Sequence, residues 1–67
     1  MSVAKAIEIS AQFPTSLEDA IAQGIQRSSK TVRKMQSAWI KEMKVDVEGD
    51  KVKMYRVILK VTLVLED

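Results

Sequence analysis

The sequence predicts an α+β fold in which one strand is followed by one helix and then by a long hairpin, in the order β-α-β-β. Three features indicate this order. Apolar and polar residues alternate near the N-terminus, a helix-capping pattern follows Pro14, and Gly49-Asp50 separates two long runs rich in β-branched residues. No repeat and no long linker interrupts the chain, so we expect residues 1–67 to form a single domain.

The first strand is predicted from Val3 to Ala11. Within it Val3, Ile7 and Ile9 share one parity, which is the period of a strand with one buried face. The following Phe13-Pro14 should end the strand, because proline has no N–H to donate to a neighbouring strand.

The helix is predicted to begin at a capping box formed by Thr15-Ser16-Leu17-Glu18. In this pattern the Thr15 hydroxyl accepts from the Glu18 amide, while the Glu18 carboxylate reaches back to Thr15. We expect the helix to run from about Ser16 to Val32 or Arg33. One apolar stripe with small residues in its middle should lie against a sheet. It consists of Leu17, Ala20, Ile21, Gly24, Ile25, Ser28 and Val32.

The remaining sequence predicts a hairpin of two strands, Ala38 to Glu48 and Lys51 to Glu66, joined by a two-residue turn at Gly49-Asp50. Such a turn determines which residues lie opposite one another. It pairs Glu48 with Lys51, Val47 with Val52, Met43 with Arg56 and Trp39 with Lys60.

Opposite residues share a face, so this register divides the hairpin into two faces. One face carries Tyr55, Val57, Leu59, Val61, Leu63 and Leu65 with Ala38, Ile40, Glu42, Lys44 and Asp46, and the helix should cover its end far from the turn. The other face carries Trp39, Lys41, Met43, Val45 and Val47 with Met54, Arg56, Ile58, Lys60, Thr62 and Val64. That second face is too apolar for a plain solvent face and predicts a partner or ligand surface. A turn one residue longer would place Trp39 on the covered face instead.

Size and composition predict self-assembly. A chain of 67 residues has little apolar surface to bury, and small domains usually need disulfides, a metal or oligomerisation. The chain has no Cys and no His, which excludes disulfides and ordinary zinc sites. Oligomerisation with copies of itself is the remaining means of stabilisation.

Charge and hydropathy argue against nucleic acid and membranes as partners of this chain. Apolar residues make up 46% and charged residues 30%, a globular balance. The net charge of +2, with bases and acids interleaved, does not favour nucleic-acid binding. No apolar window is long enough for a membrane span and no signal-peptide core is present, so we expect a cytoplasmic protein with no membrane partner.

At this point the chain resembles the dodecins, small flavin-binding proteins that assemble as hollow spheres of twelve identical subunits. The resemblance covers nearly the whole length. It is carried by Pro14-Thr15-Ser16 with Leu17-Glu18-Asp19-Ala20-Ile21, by Arg27-Ser28-Ser29-Lys30-Thr31-Val32-Arg33, by Val47-Glu48 and Lys51-Val52 around the turn, and by Tyr55-Arg56-Val57, Leu59-Lys60-Val61 and Val64-Leu65-Glu66. It implies a three-stranded antiparallel sheet wrapped on the helix, a homododecamer, and storage or buffering of a flavin such as riboflavin, FMN or a breakdown product.

The resemblance also implies a ligand site, with Ser37, Trp39, Met43 and Arg56 as candidate flavin-binding residues. Ser37 occupies the position of the tryptophan that usually stacks on the flavin. Met43 occupies a position where many members carry Gln, and Arg56 occupies one where some members carry a Gln that hydrogen-bonds the ring. Trp39 lies two residues beyond the usual position, on the same face and about 7 Å away. Either a local bulge brings Trp39 into the stacking role, or the flavin site is altered or lost.

Each of these residues also has a structural interpretation. Trp39 is suited to anchor a subunit interface, Arg56 to form an ion pair, and Met43 to adapt to its packing. If flavin binding is lost, the same assembly is a structural shell that holds ions or another small ligand. The acidic hairpin tip, Asp46, Glu48 and Asp50, matches no cation loop, so no metal site is predicted. Without His or Cys, nothing in the spacing predicts an enzyme.

Overall fold

A computed structural model of the chain describes residues 3–65. Its elements are β1 (Val3–Phe13), α1 (Leu17–Ser28), β2 (Met35–Glu48) and β3 (Lys51–Leu65). They form one three-stranded sheet in the order β1-β3-β2, and both pairs of neighbours are antiparallel. The predicted β-α-β-β class and the antiparallel sheet are confirmed. The predicted last residue of β3, Glu66, lies outside the described residues.

The start of α1 lies one residue beyond the predicted cap. Ser16 is the N-cap, with extended backbone (φ −170°, ψ 166°), and its Oγ accepts a hydrogen bond of 3.0 Å from the Asp19 N–H. Thr15 donates its hydroxyl to the Asp19 carboxylate. The predicted pairing of Thr15 with Glu18 is therefore wrong, because with Ser16 as the cap both adjacent hydroxyls find a partner in Asp19.

The end of α1 is also different from the prediction, since the helix stops at Ser28 rather than at Val32 or Arg33. The Ser29 hydroxyl donates back to the Gln26 carbonyl at 2.7 Å, and such side-chain bonds to the backbone compete with helix continuation. One further turn closes with the Val32 N–H on the Ser28 carbonyl at 2.8 Å. Lys34 then adopts a positive φ of 62°, which leads the chain into β2.

The hairpin turn has the predicted length. Gly49 and Asp50 have φ of 59° and 64°, and two successive positive φ values are the mark of a type I′ turn. The predicted pairs of Glu48 with Lys51, Val47 with Val52 and Trp39 with Lys60 are confirmed.

The middle of the hairpin follows a different register because of two bulges. Lys53 is an extra residue on β3, and Lys41 is an extra residue on β2 that restores the original pairing. Between them Met43 lies opposite Val57, so its predicted pairing with Arg56 is wrong. The faces of this stretch are exchanged accordingly. Met43 and Val45 share the face of the helix, whereas Glu42, Lys44 and Asp46 lie on the opposite, outer face.

The core lies between α1 and the strands β1 and β3, at the end of the sheet far from the turn, as predicted. Ala20, Val57, Leu59 and Val61 are fully buried. Gly24 allows a close approach of the helix to the sheet, because a Cβ on it would lie only 2.9 Å from the Cβ of Ala11. These residues place α1 over β1 and β3 and leave most of β2 uncovered.

Candidate functional site

Trp39 is the most prominent feature of the outer face. It lies on β2 opposite Lys60, and 75% of its surface is exposed. It borders an open depression whose lining consists of Ala38, Trp39, Ile40, Lys41 and Lys60. A large exposed aromatic ring beside an apolar depression is a surface suited to stacking or to contact with another subunit.

An ion pair spans the sheet next to this depression. Lys41, the bulge residue of β2, places its Nζ 2.6 Å from Oε2 of Glu8 on β1, across the central strand. This hydrogen bond lowers the pKa of the Glu8 carboxyl below its ordinary value and raises the pKa of the Lys41 ammonium. Both side chains are about half exposed, so the pair contributes little to stability but holds both charges in place.

Ser37 lies on the same face as Trp39, two residues earlier on β2 and opposite Thr62. The pairing is continuous from Ser37 to Ile40, so no bulge displaces Trp39 relative to Ser37. The position opposite Thr62 therefore presents a small hydroxyl, and the aromatic ring lies about 7 Å further along the strand.

Arg56 lies on the outer face as well, but at a different place. Its Nε donates to Oδ2 of Asp46 at 2.8 Å, and its Nη1 donates to Oε1 of Gln12. Arg56 thus links β1, β3 and β2. This arrangement agrees with the interpretation of Arg56 as an ion-pair residue. It is four residues from Lys60 along β3, roughly 13 Å, so it does not reach a ring centred on Trp39 within one subunit.

Of the four candidate residues, the structure therefore brings together Ser37 and Trp39. Met43 lies on the other face of the sheet, opposite the buried Val57. Sequence reasoning did not select Lys60, Lys41 and Glu8. Lys60 was detectable as the predicted cross-strand neighbour of Trp39, whereas the approach of Lys41 to Glu8 depends on a bulge and on the order of the strands.

The acidic hairpin tip does not gather its carboxylates into one cluster. Asp46 is bound by Arg56, and Glu48 lies 3.3 Å from Nζ of Lys53. Within residues 3–65, no three acidic, His or Cys side chains come together in a way that could hold a metal ion.

Over the same residues, the helix is neither long enough nor apolar enough to cross a membrane.

Comparisons with known proteins agree with this fold. A Thermus thermophilus dodecin, solved as an arginine-to-alanine variant, is 31% identical, with 100% of both chains covered and a TM-score of 0.92. The calcium dodecin of Mycobacterium tuberculosis is 34% identical over 92% of this chain and 89% of that chain, with a TM-score of 0.79, and its structure has a novel calcium-binding site.

A dodecin from Streptomyces davaonensis has the same fold, with 21% identity, a TM-score of 0.91 and coverage of 98% of this chain and 97% of that chain. A search of curated proteins finds no significant match. The dodecin family model matches residues 3–66, nearly the entire chain. By fold, sequence similarity and family model, the chain belongs to the dodecin family.

Proposed function

We propose that the chain binds flavin as a homododecamer, and that it stores or buffers free flavin in the cytoplasm rather than catalysing a reaction. The single observation that carries this proposal is the exposed ring of Trp39 on the outer face, next to an apolar depression. Stacking a planar ring on an aromatic side chain contributes roughly 1–3 kcal/mol, as measured for nucleobases.

The apolar surface of β2 supports self-assembly. Trp39, Met43 and Val47 are all more than half exposed in the single subunit, on both faces of one strand. An apolar strand of this kind requires a partner, and a second copy of the chain is the partner that family membership supports. In the assembly, Trp39 residues of neighbouring subunits would enclose the flavin ring.

A fluorescence titration tests flavin binding. Riboflavin at fixed concentration is titrated with the protein, and quenching at micromolar protein is the expected result. Trp39→Leu should weaken binding by about tenfold or more, because the stacking surface is lost. Met43→Leu is the matched control, since Met43 is an exposed apolar residue of the same strand on the opposite face. Absence of quenching by the unaltered protein would remove flavin binding from the proposal.

The alternative function is a dodecin shell without flavin, which is favoured by Ser37 at the usual tryptophan position. Such a shell would hold ions or another small ligand, as the calcium dodecin relative does with calcium. Protein purified from cells supplied with flavin separates the two. A yellow protein supports flavin storage, and a colourless protein with the mass of a dodecamer supports the shell.

A further inference from the structure

Lys60 is the cation closest to Trp39 by register. It lies on the central strand β3, with Trp39 opposite on β2 and Glu8 opposite on β1. Lys60 and Trp39 line the same depression on the outer face. Side chains directly opposite on antiparallel strands have Cβ atoms about 5 Å apart, so the Lys60 ammonium can reach the edge of a ring stacked on Trp39.

The acid opposite Lys60 has another partner. Glu8 is held by Lys41 at 2.6 Å, whereas Lys60 forms no ion pair within residues 3–65. Among the causes that lower the pKa of Glu8, the charge of Lys60 ranks after the hydrogen bond and the charge of Lys41, so this carboxylate belongs mainly to Lys41. Glu42, the next acid on this face, lies opposite Ile58, two residues further along β3.

Covering the depression removes water from Lys60. A charged group that loses water without gaining a counter-charge is costly, and a neutral ring supplies none. A flavin that carries a phosphate on its side chain would supply the missing counter-charge and offset this cost. Arg56 does not provide the same contact, because it lies four residues from Lys60 along β3, roughly 13 Å, and is paired with Asp46.

We infer that Lys60 makes the Trp39 site selective for a flavin that carries a negative charge, so that a phosphorylated flavin binds more tightly than a neutral one. This inference rests on the proposed flavin binding. It assigns to Lys60 a role in specificity, and it leaves stacking to Trp39.

The test compares FMN with riboflavin on the assembled protein, by fluorescence quenching at low ionic strength. We expect FMN to bind about tenfold more tightly, and the ratio to fall at high salt as the charges are screened. Lys60→Gln should weaken the binding of FMN and so reduce the ratio of the two affinities to within about twofold. Its affinity for riboflavin should change by less than about twofold. Lys60→Arg should retain most of the preference.

Lys44→Gln is the matched control. Lys44 is an exposed lysine of the outer face, opposite Arg56 and away from Trp39, so its removal subtracts the same charge and should leave the ratio unchanged. Equal affinities of the unaltered protein for FMN and riboflavin would overturn the role of Lys60 and leave flavin binding intact. A preference that persists in Lys60→Gln would overturn it as well. Binding of neither flavin would refute the proposed function, and this inference with it.

Discussion

The sheet beneath α1 and the strand β2 are built from similar apolar residues, but only the first is buried within the subunit. Val57, Leu59 and Val61 of β3 are at most 1% exposed, whereas Met43 and Val47 of β2 are 56% and 64% exposed. The first cause is position, because α1 packs on β1 and β3 and not on the edge strand β2, and the second is length. A helix of 12 residues covers about 18 Å, and a strand of 15 residues spans about 50 Å. One half of the molecule is therefore a folded core, and the other half exposes apolar side chains that the proposed assembly would cover.

The largest effect is expected in the core. Leu59→Ala removes a fully buried side chain beneath the helix and should lower the free energy of unfolding by about 2–5 kcal/mol. Urea denaturation followed by circular dichroism measures this loss. Ile40→Ala is the matched comparison, since Ile40 lies opposite Leu59 but is about half exposed. If both variants lost the same stability at low protein concentration, the division into a core and an open strand would be wrong.

A charge on β2 should act on assembly rather than on the subunit fold. Met43→Glu places a carboxylate on the exposed apolar strand, where a neighbour would have to bury it, at a cost of several kcal/mol. Sedimentation velocity should show a smaller particle, while circular dichroism still reports the β-rich fold. Gln26→Glu adds the same charge on the exposed side of the helix and should keep the mass. An unchanged particle in Met43→Glu would contradict the role of β2 as an interface.

A smaller effect is expected where α1 meets β1. Gly24→Ala would place a Cβ 2.9 Å from the Cβ of Ala11. Overpacking typically costs about 1–3 kcal/mol, and the better helix propensity of Ala returns about 1 kcal/mol. We therefore expect a net loss of about 1 kcal/mol in urea denaturation. The double variant with Ala11→Gly should regain part of it. A single variant more stable than the original chain would show that the helix does not lie this close.

The smallest effect concerns the ion pair between Lys41 and Glu8. Because the folded-state pKa of Glu8 is lowered, its stabilisation is present at neutral pH and is lost as the pH falls below the ordinary value of 4.5 and through the lowered one. Because the pKa of Lys41 is raised, its stabilisation is lost as the pH rises above 10.5 and through the raised value.

At a pH between these limits, the melting temperature of Glu8→Gln should differ from that of the unaltered protein by no more than about 2 °C, since both side chains of the pair are half exposed. Its melting temperature should also depend less on pH in the acid range. If the melting temperatures of Glu8→Gln and the unaltered protein depended on acid pH in the same way, the ion pair would not be maintained in solution.

Much of the fold follows from local sequence. Gly49-Asp50 marks the turn because both residues tolerate positive φ, and the count of two residues sets the pairing next to it. The predicted face of Trp39 is confirmed for the same reason. The end of the helix was harder to predict from the sequence. The periodic apolar pattern continues to Val32, but hydroxyl groups after Ser28 bind the helix carbonyls and end the helix earlier.

By itself, the sequence determined the order of the elements, the turn, and the apolar character of the hairpin, because backbone preferences and side-chain periodicity act over a few neighbouring residues. The tertiary structure alone decided the central position of β3, the bulges of the hairpin, the exchange of faces around Met43 and the partners of Glu8 and Arg56. These features depend on contacts between residues 10 to 44 positions apart, where small shifts in strand pairing determine which side chains meet.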